Sequence, residues 1–446
     1  MKKRMLSMLL AIIMVVGLLP GFAVTASAAE IAPTEPKLTT DKYDINGDDT
    51  MDAVYEITTA AELYWFAGLV NGTISGVTKN NAANAILMNN ITVNENVIVD
   101  GALTTDTSNL VVWTAIGKSS GSTSQFKGHF DGNSKTIRGL YVNETVIYRG
   151  FVGYLGGSVK NLTVADSYFY STNTSLGAIA GSAASGSSIE NCKLTGSIVS
   201  GKGSVGGIVG YVAPGVTLTN CQVSKSKISG TVDRIGGIVG SAGGNNSSNT
   251  SYISLCSITG GSVTGATDVG GILGRGGSLN YTYLIGCCNY GTDVTATTKD
   301  AGGIVGYYGR IYSSFSSAKV SAPTKQGPFY GASGNAYSSV FDSTVYGETI
   351  NYSSSECYTT TEIESGVAAY YLANSTSGTG NSYSQWGQKI GEDKYPSWNP
   401  DSNPDYIVYR EDDPDADGGY RYYNGDAAAS YEPNEDGIYE IADRSD

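Results

Sequence analysis

Two aspartates, Asp268 and Asp300, each stand three residues ahead of a repeated glycine, Gly271 and Gly303. If the two boxes lie on neighbouring turns of one structure, the carboxylates stack. Like charges that close raise one pKa or recruit a cation. Arg275 and Arg310 follow the same boxes. Carboxylates on one face, joined by Arg or Lys, are what a β-helical polysaccharide lyase or glycoside hydrolase requires. The equivalent places elsewhere hold Ser204 and, displaced by one residue, Asp233-Arg234. Turn chemistry therefore explains the acids as well, and catalysis is the lesser reading.

Other chemistry is scarcer. His129 is the one histidine, which excludes a two-histidine zinc helix. A Ser-His-Asp arrangement would need the same residue, and no nucleophile elbow is present. His129 lies in the stretch Phe126–Asn133, where a turn or surface role is expected. Calcium is the one cofactor option. Asp44-Ile45-Asn46-Gly47-Asp48-Asp49 alternates acids like a calcium loop, but Asp49 stands where Gly is needed and Tyr55 where the last acid belongs. Asp413, Asp415, Asp417 and Gly418 match half of an EF-hand loop, with Arg421 and Asn424 where ligands should follow. Solvated acidic turns read both stretches better. Tyrosine is abundant, 32 against 9 phenylalanines. Tyr281, Tyr283, Tyr290, Tyr307, Tyr308 and Tyr312 form a candidate surface for a glycan or protein partner, since tyrosines stack on ligands at little entropy cost.

The elements that must position these groups are repeats. Gly206-Gly207-Ile208-Val209-Gly210 recurs as Gly236-Gly237-Ile238-Val239-Gly240, Gly270-Gly271-Ile272-Leu273-Gly274 and Gly302-Gly303-Ile304-Val305-Gly306, with Gly177-Ala178-Ile179-Ala180-Gly181 and Gly150-Phe151-Val152-Gly153 upstream. From Gly150 through Gly177, Gly207, Gly237, Gly271 and Gly303 the steps are 27, 30, 30, 34 and 32 residues. Such a period means stacked coils. Three short strands per repeat, with Gly, Ser, Thr and Asn corners, predict an all-β parallel β-helix (β-solenoid) of ~30-residue coils. Ile179, Ile208, Ile238, Ile272 and Ile304 should point inward, with the glycines turning the chain through positive φ. Leu162, Cys192, Cys221, Cys256, Cys287 and Phe315 should form a second inward file, the cysteines acting as small apolar filler with free thiols.

Short helical caps are expected at both ends. Thr59 and Glu62 form a capping box ahead of the stripe Leu63, Phe66, Leu69 and Val70, and Asn71-Gly72 ends that helix. All four tryptophans, Trp65, Trp113, Trp386 and Trp398, lie outside the glycine repeats, in end regions read as plugs. Residues 1–28 have a basic start, an apolar run and Ala26-Ser27-Ala28, the pattern of a secretory signal peptide. The expected organisation is thus a signal at 1–28, polar linker 29–54, helical cap and first coils 55–141, repeats 142–350, C-terminal cap 351–410 and acidic linker 411–446. In the last stretch Asn434 to Ile441 restates the entry at Asn46 to Ile57, as if a second module began there. Net charge is −14, and −17 without Lys2, Lys3 and Arg4, which argues against nucleic acid as a partner. No later segment reads as a membrane span, so no membrane insertion is expected after signal cleavage.

The glycine boxes, Asn191-Cys192, Asn220-Cys221 and Phe130-Asp131-Gly132-Asn133 with Ile137 and Gly139-Leu140 resemble the GLUG-motif repeat proteins, exported and surface proteins mainly of Gram-positive bacteria. The stretch from Ser365-Gly366 through Trp386-Gly387 to Tyr395-Pro396 is similar to the close of such modules. The resemblance spans roughly residues 50–410. It implies a secreted, cell-surface β-solenoid acting as a stalk or adhesin-like scaffold, sometimes placed ahead of catalytic domains such as immunoglobulin-cleaving metallopeptidases. It transfers no catalytic position, because the matched motif is structural.

Overall fold

One repeat shows how the sequence makes a coil. Ser188–Glu190 is extended, Asn191 turns the chain, and Lys193–Thr195 extends again. Gly196 turns it once more, and Ile198–Gly206 runs to the glycine pair and on to Val209–Val212. Each segment pairs in parallel with its counterpart one repeat on: Ile189 with Leu218, Leu194 with Val223, Val199 with Ile228 and Val209 with Val239. The computed structural model describes residues 30–118, 123–244, 246, 250–350, 352, 354–375, 385–399, 401 and 403–425. Within them the chain is an all-β parallel solenoid of about nine turns. Its main sheets have 16, 10 and 11 strands among the described residues. The expected signal segment at 1–28 and the expected module start at 434–441 lie outside the described residues.

Three strands per coil was an undercount. The first and third sheets each bend into two segments per turn. Ile198–Gly206, for example, pairs first with Lys227–Gly230 and then with Asp233–Gly236. Alternation puts every second residue inside. Ile179, Ile208, Ile238, Ile272 and Ile304 are fully buried; the N–H of each donates to the carbonyl of the next, and that of Ile304 to the Phe329 carbonyl, at 2.9–3.0 Å. Each such side chain removed from water stabilises by about 1.5–3 kcal/mol.

The glycine pairs are required for a reason other than the one expected. None of Gly206, Gly207, Gly236, Gly237, Gly270 or Gly271 has positive φ. A Cβ on Gly237 would overlap the Gly271 carbonyl, and one on Gly271 the Gly303 carbonyl. These glycines permit close approach between coils. The left-handed corners are elsewhere. Asn161, Asn191 and Asn220 hold φ of 55, 54 and 51°, a region that asparagine tolerates and most side chains avoid. Their amides form a ladder: Asn220 Nδ2 donates to Asn191 Oδ1 at 2.9 Å, Asn191 to Asn161 at 3.1 Å, and Asn161 to Asp131 at 3.0 Å.

The residue after each asparagine faces inward. Leu162, Cys192, Cys221, Cys256 and Cys287 are fully buried in one core cluster, and the thiols are free. Phe315 does not belong to that file. It pairs with Cys288, and Ser314 takes the place beside Cys287, donating from Oγ to the Tyr312 carbonyl at 2.8 Å. Phe315 therefore points outward. It is buried because the C-terminal cap lies over it, packed with Cys288, Ile363, Ala368, Leu372 and Trp386. A one-residue slip in strand register exchanges inside for outside.

The ends close differently. Helix α1 (Ala60–Asn71) has the expected capping box and its Gly72 C-cap, and puts Leu63, Phe66, Leu69 and Val70 into the core beside Phe126 and Phe130. Trp113 stacks on Phe151 at 5.5 Å. At the far end α2 (Ser343–Tyr346), α3 (Thr360–Glu364) and α4 (Val367–Asn374) follow the last coils. Here the cap also folds back along the outside of the second sheet, where the Tyr290 hydroxyl donates to the Pro396 carbonyl at 2.9 Å.

Both expected linkers contain strands. Lys37–Tyr43 and Asp52–Ile57 form an antiparallel hairpin that extends the first sheet. Its polar residues face out from an edge, while Val54 and Ile57 are buried and Glu56 is held by Lys37 at 3.1 Å and Lys42 at 3.5 Å. Val408–Asp412 and Tyr420–Asn424 form a second hairpin that straddles the expected boundary between C-terminal cap and acidic linker, with Tyr409 stacked on Tyr423 at 5.8 Å.

Candidate functional site

The acid pair lies where the repeats predicted. Val269 is in register with Ala301, so Asp268 and Asp300 occupy neighbouring rungs, which lie ~4.8 Å apart. Asp268 occupies a left-handed corner at φ 54°, in one column with Ser175, Ser204 and Arg234. Arg275 Nη1 approaches its carboxylate at 3.3 Å, and the guanidinium lies 5.0 Å from the centre of the Tyr307 ring. Burial pushes the Asp268 carboxyl up from the usual range; Arg275 opposes this, and Asp233 and Asp300 add to it. Asp300 is 8% exposed, and its Oδ1 has no hydrogen-bond partner. Arg310 is not part of this group. It reaches Asn280 Oδ1 at 2.6 Å and lies over Tyr283 on another segment. Among the described residues no three His, Cys, Asp or Glu side chains are placed to hold a metal ion.

The tyrosines form a ladder rather than an open platform. Tyr252 pairs with Tyr283 and Tyr312 with Tyr337, but Tyr283 lies opposite Arg310 and Tyr312 opposite Ile285, so the row steps two residues along the strand between the pairs over four successive turns. Their ring centres are 5.4, 6.0 and 5.0 Å apart, with planes within 20° of parallel. Each inner ring has both faces covered by its neighbours. Sugars stack on ring faces, so Tyr283 and Tyr312 offer a ligand only edges and hydroxyls. Tyr252, 52% exposed at the end of the row, keeps a face free. It was absent from the sequence-based set, as was Tyr337. Aligning the repeats on their inward residues would have found both.

The remaining candidates scatter. Tyr290 is removed from the ligand surface: it stacks on Tyr395 beneath the C-terminal cap, and burial pushes its phenol up. Tyr307 and Tyr308 pack on each other at 4.0 Å beside Arg275. Tyr281 is half-buried at the turn before Thr282–Ile285.

With this geometry in hand, comparison with known proteins adds little. No protein-family profile matches the chain, and neither does any curated protein. Among solved structures, one from Bacteroides ovatus, described as "a putative immunoglobulin A1 protease", is similar with a TM-score of 0.48 and 20% identity. The match covers 79% of this chain and 94% of that one. Neither fold nor activity is carried over from a likeness of that size.

His129 sits on a strand, His129–Asp131, rather than in a turn. Its Nδ1 lies 2.7 Å from Ser158 Oγ, and burial lowers its pKa. At the first acidic loop, Asp44 accepts from the N–H groups of Gly47, Asp48 and Asp49 at 2.7–3.1 Å, and Asp52 from that of Ile45 at 3.0 Å. In the second loop Asp413 accepts from the Asp415 N–H at 3.1 Å. Among the described residues no helix is long and apolar enough to cross a membrane.

Proposed function

We propose that this chain is a non-catalytic β-solenoid module, exported and held at a bacterial cell surface, that spaces or displays neighbouring modules and contributes adhesion to a glycan or protein. One observation carries the reading: the outward groups of the coils are matched to their own neighbours rung by rung. The Asn161–Asn191–Asn220 amides and the stacked tyrosines tie each turn to the next. Inside the coils the buried serines that follow the corners do the same: the Ser167 N–H donates to Ser197 Oγ and the Ser197 N–H to Ser226 Oγ. Such a body behaves as a stiff rod with a continuous core. The signal-like start and the resemblance to the GLUG-motif proteins support the placement outside the cell. Antibody labelling of intact cells, a glycan array and a pull-down with host matrix proteins test it. Labelling only after lysis would overturn the surface placement, and blanks in both binding assays would leave a spacer alone.

The second reading is a polysaccharide lyase or glycoside hydrolase working through Asp268 and Asp300. The unpartnered Asp300 Oδ1 and the raised Asp268 carboxyl favour it. Release of reducing sugar or unsaturated uronate from a polysaccharide panel, abolished by Asp268→Asn with Asp300→Asn, would establish it in place of the first.

A further inference from the structure

The C-terminal cap presents a cation that meets tyrosine rings rather than a carboxylate. Arg410 is exposed on Val408–Asp412, with its guanidinium 4.9 Å from the centre of the Tyr370 ring and 4.2 Å from that of Tyr420. Among the described residues no ion pair includes Arg410. Charges close by are already matched: Arg421 meets Glu411 at 2.9 Å, and Glu362 closes the Thr359 capping box of α3. A cavity of about 410 Å³ opens beside Arg410, lined by Tyr358, Tyr370, Tyr371, Tyr422 and Asn374, with Val367 as its aliphatic member. A second cavity of about 520 Å³ shares Tyr358, Val367 and Tyr422 with it. Both volumes fall in the range of small-ligand sites.

The lining narrows the chemistry. Aliphatic side chains, which would select an apolar ligand, are nearly absent. Tyrosine rings suit the C–H faces of a pyranose, and amide and hydroxyl groups suit its oxygens. A guanidinium that meets tyrosines but no carboxylate adds a preference for a planar anion, above all a carboxylate. Two adjoining cavities suit more than one sugar unit. We propose that this cap is a binding site for an acidic saccharide, a pyranose carboxylate held at Arg410 with its ring among Tyr358, Tyr370 and Tyr422. The proposal rests on the adhesive part of the reading above and gives it a location.

The test is calorimetric titration of the full chain with 3′-sialyllactose and with trigalacturonate. Each is run beside its neutral counterpart, lactose or fully methyl-esterified trigalacturonate. At least one acidic saccharide should bind tenfold or more tightly than its neutral partner, and affinity should fall as salt rises. Preference for the first points to host glycans, and for the second to plant polyuronates. Arg410→Gln should weaken binding at least tenfold and remove the salt dependence, with Arg410→Lys recovering part of it and both variants melting like the parent. Equal affinity for acid and neutral forms, or unchanged binding by Arg410→Gln, overturns the site. If the chain is then still retained on a glycan array or by matrix proteins, only this location fails and the scaffold reading stands.

Discussion

The coils and the C-terminal cap use tyrosine in opposite ways. Along the coils Tyr252, Tyr283, Tyr312 and Tyr337 stack on one another, and the ring faces are consumed in holding successive turns together. In the cap, Tyr358, Tyr370 and Tyr422 line open cavities around Arg410, which among the described residues meets no carboxylate. The difference follows from symmetry. A repeat places like beside like every ~4.8 Å, so outward side chains satisfy each other. Where the repeat ends, that self-matching stops, and surface becomes available to something else.

The largest effect should come from breaking the stacking itself. Gly271→Val drives a Cβ into the Gly303 carbonyl and Asn289 Nδ2, both within the core. Loss of more than about 3 kcal/mol is expected, read as a fall in the urea midpoint or as failure to fold. Gly291→Ala is the matched control, because Gly291 has φ 69° and open space around it; it should cost only about 1–2 kcal/mol. A loss at Gly271 no larger than that at Gly291 would mean that close approach between coils does not select the paired glycines.

Phe315→Ala tests whether the cap is a separable layer. The ring is fully buried between the second sheet and Ile363, Leu372 and Trp386, so truncation should cost about 3–5 kcal/mol. The loss should fall on the cap alone. Limited proteolysis should open the chain beyond Tyr358 while the coils resist. Cleavage spread evenly through the coils would show that cap and solenoid unfold as one body.

How much of this was legible in the sequence depends on the kind of order involved. Repetition was readable. The glycine boxes gave the solenoid, and the isoleucine file and five of the six members of the second file lie where the period placed them. Phe315 failed because it fills a place beside a repeated motif without obeying its register: Ser313, in the left-handed corner at φ 45°, takes the part of asparagine. The two hairpins were missed because edge strands expose mostly polar residues and so read as linkers. Stacking of Tyr252 on Tyr283 and of Tyr312 on Tyr337 was implied by the repeat, yet the step from Tyr283 to Tyr312 and the covered ring faces needed coordinates. The Arg410 cavities come from contacts between segments with no shared period, which no local pattern encodes.

A paired substitution measures the contrast between the two tyrosine environments. Tyr283→Ala removes one of the two inner rings of the ladder and two stacking contacts, which should cost about 1–2 kcal/mol of stability and leave acidic-saccharide binding unchanged. Tyr370→Ala should do the reverse, with a melting point near that of the parent and weakened binding. If both variants lose only stability, the two environments are alike and the cap holds no ligand.

The smallest effect concerns Asp268. Because burial raises its carboxyl pKa in the folded chain, the folded state disfavours the charged form. That cost is full at pH above the folded pKa and disappears as pH falls through it toward the unfolded value of 3.8. Asp268→Asn removes the charge at every pH. Its partner Arg275 is 43% exposed and can turn to water, so little is lost on that side. The variant should therefore melt slightly above the parent at pH 7, by no more than about 1 kcal/mol, and the gap should close as pH falls below 4. A variant less stable than the parent at pH 7 would mean that the Arg275 contact outweighs burial, and that the acid corner holds the coils together just as the asparagine ladder does.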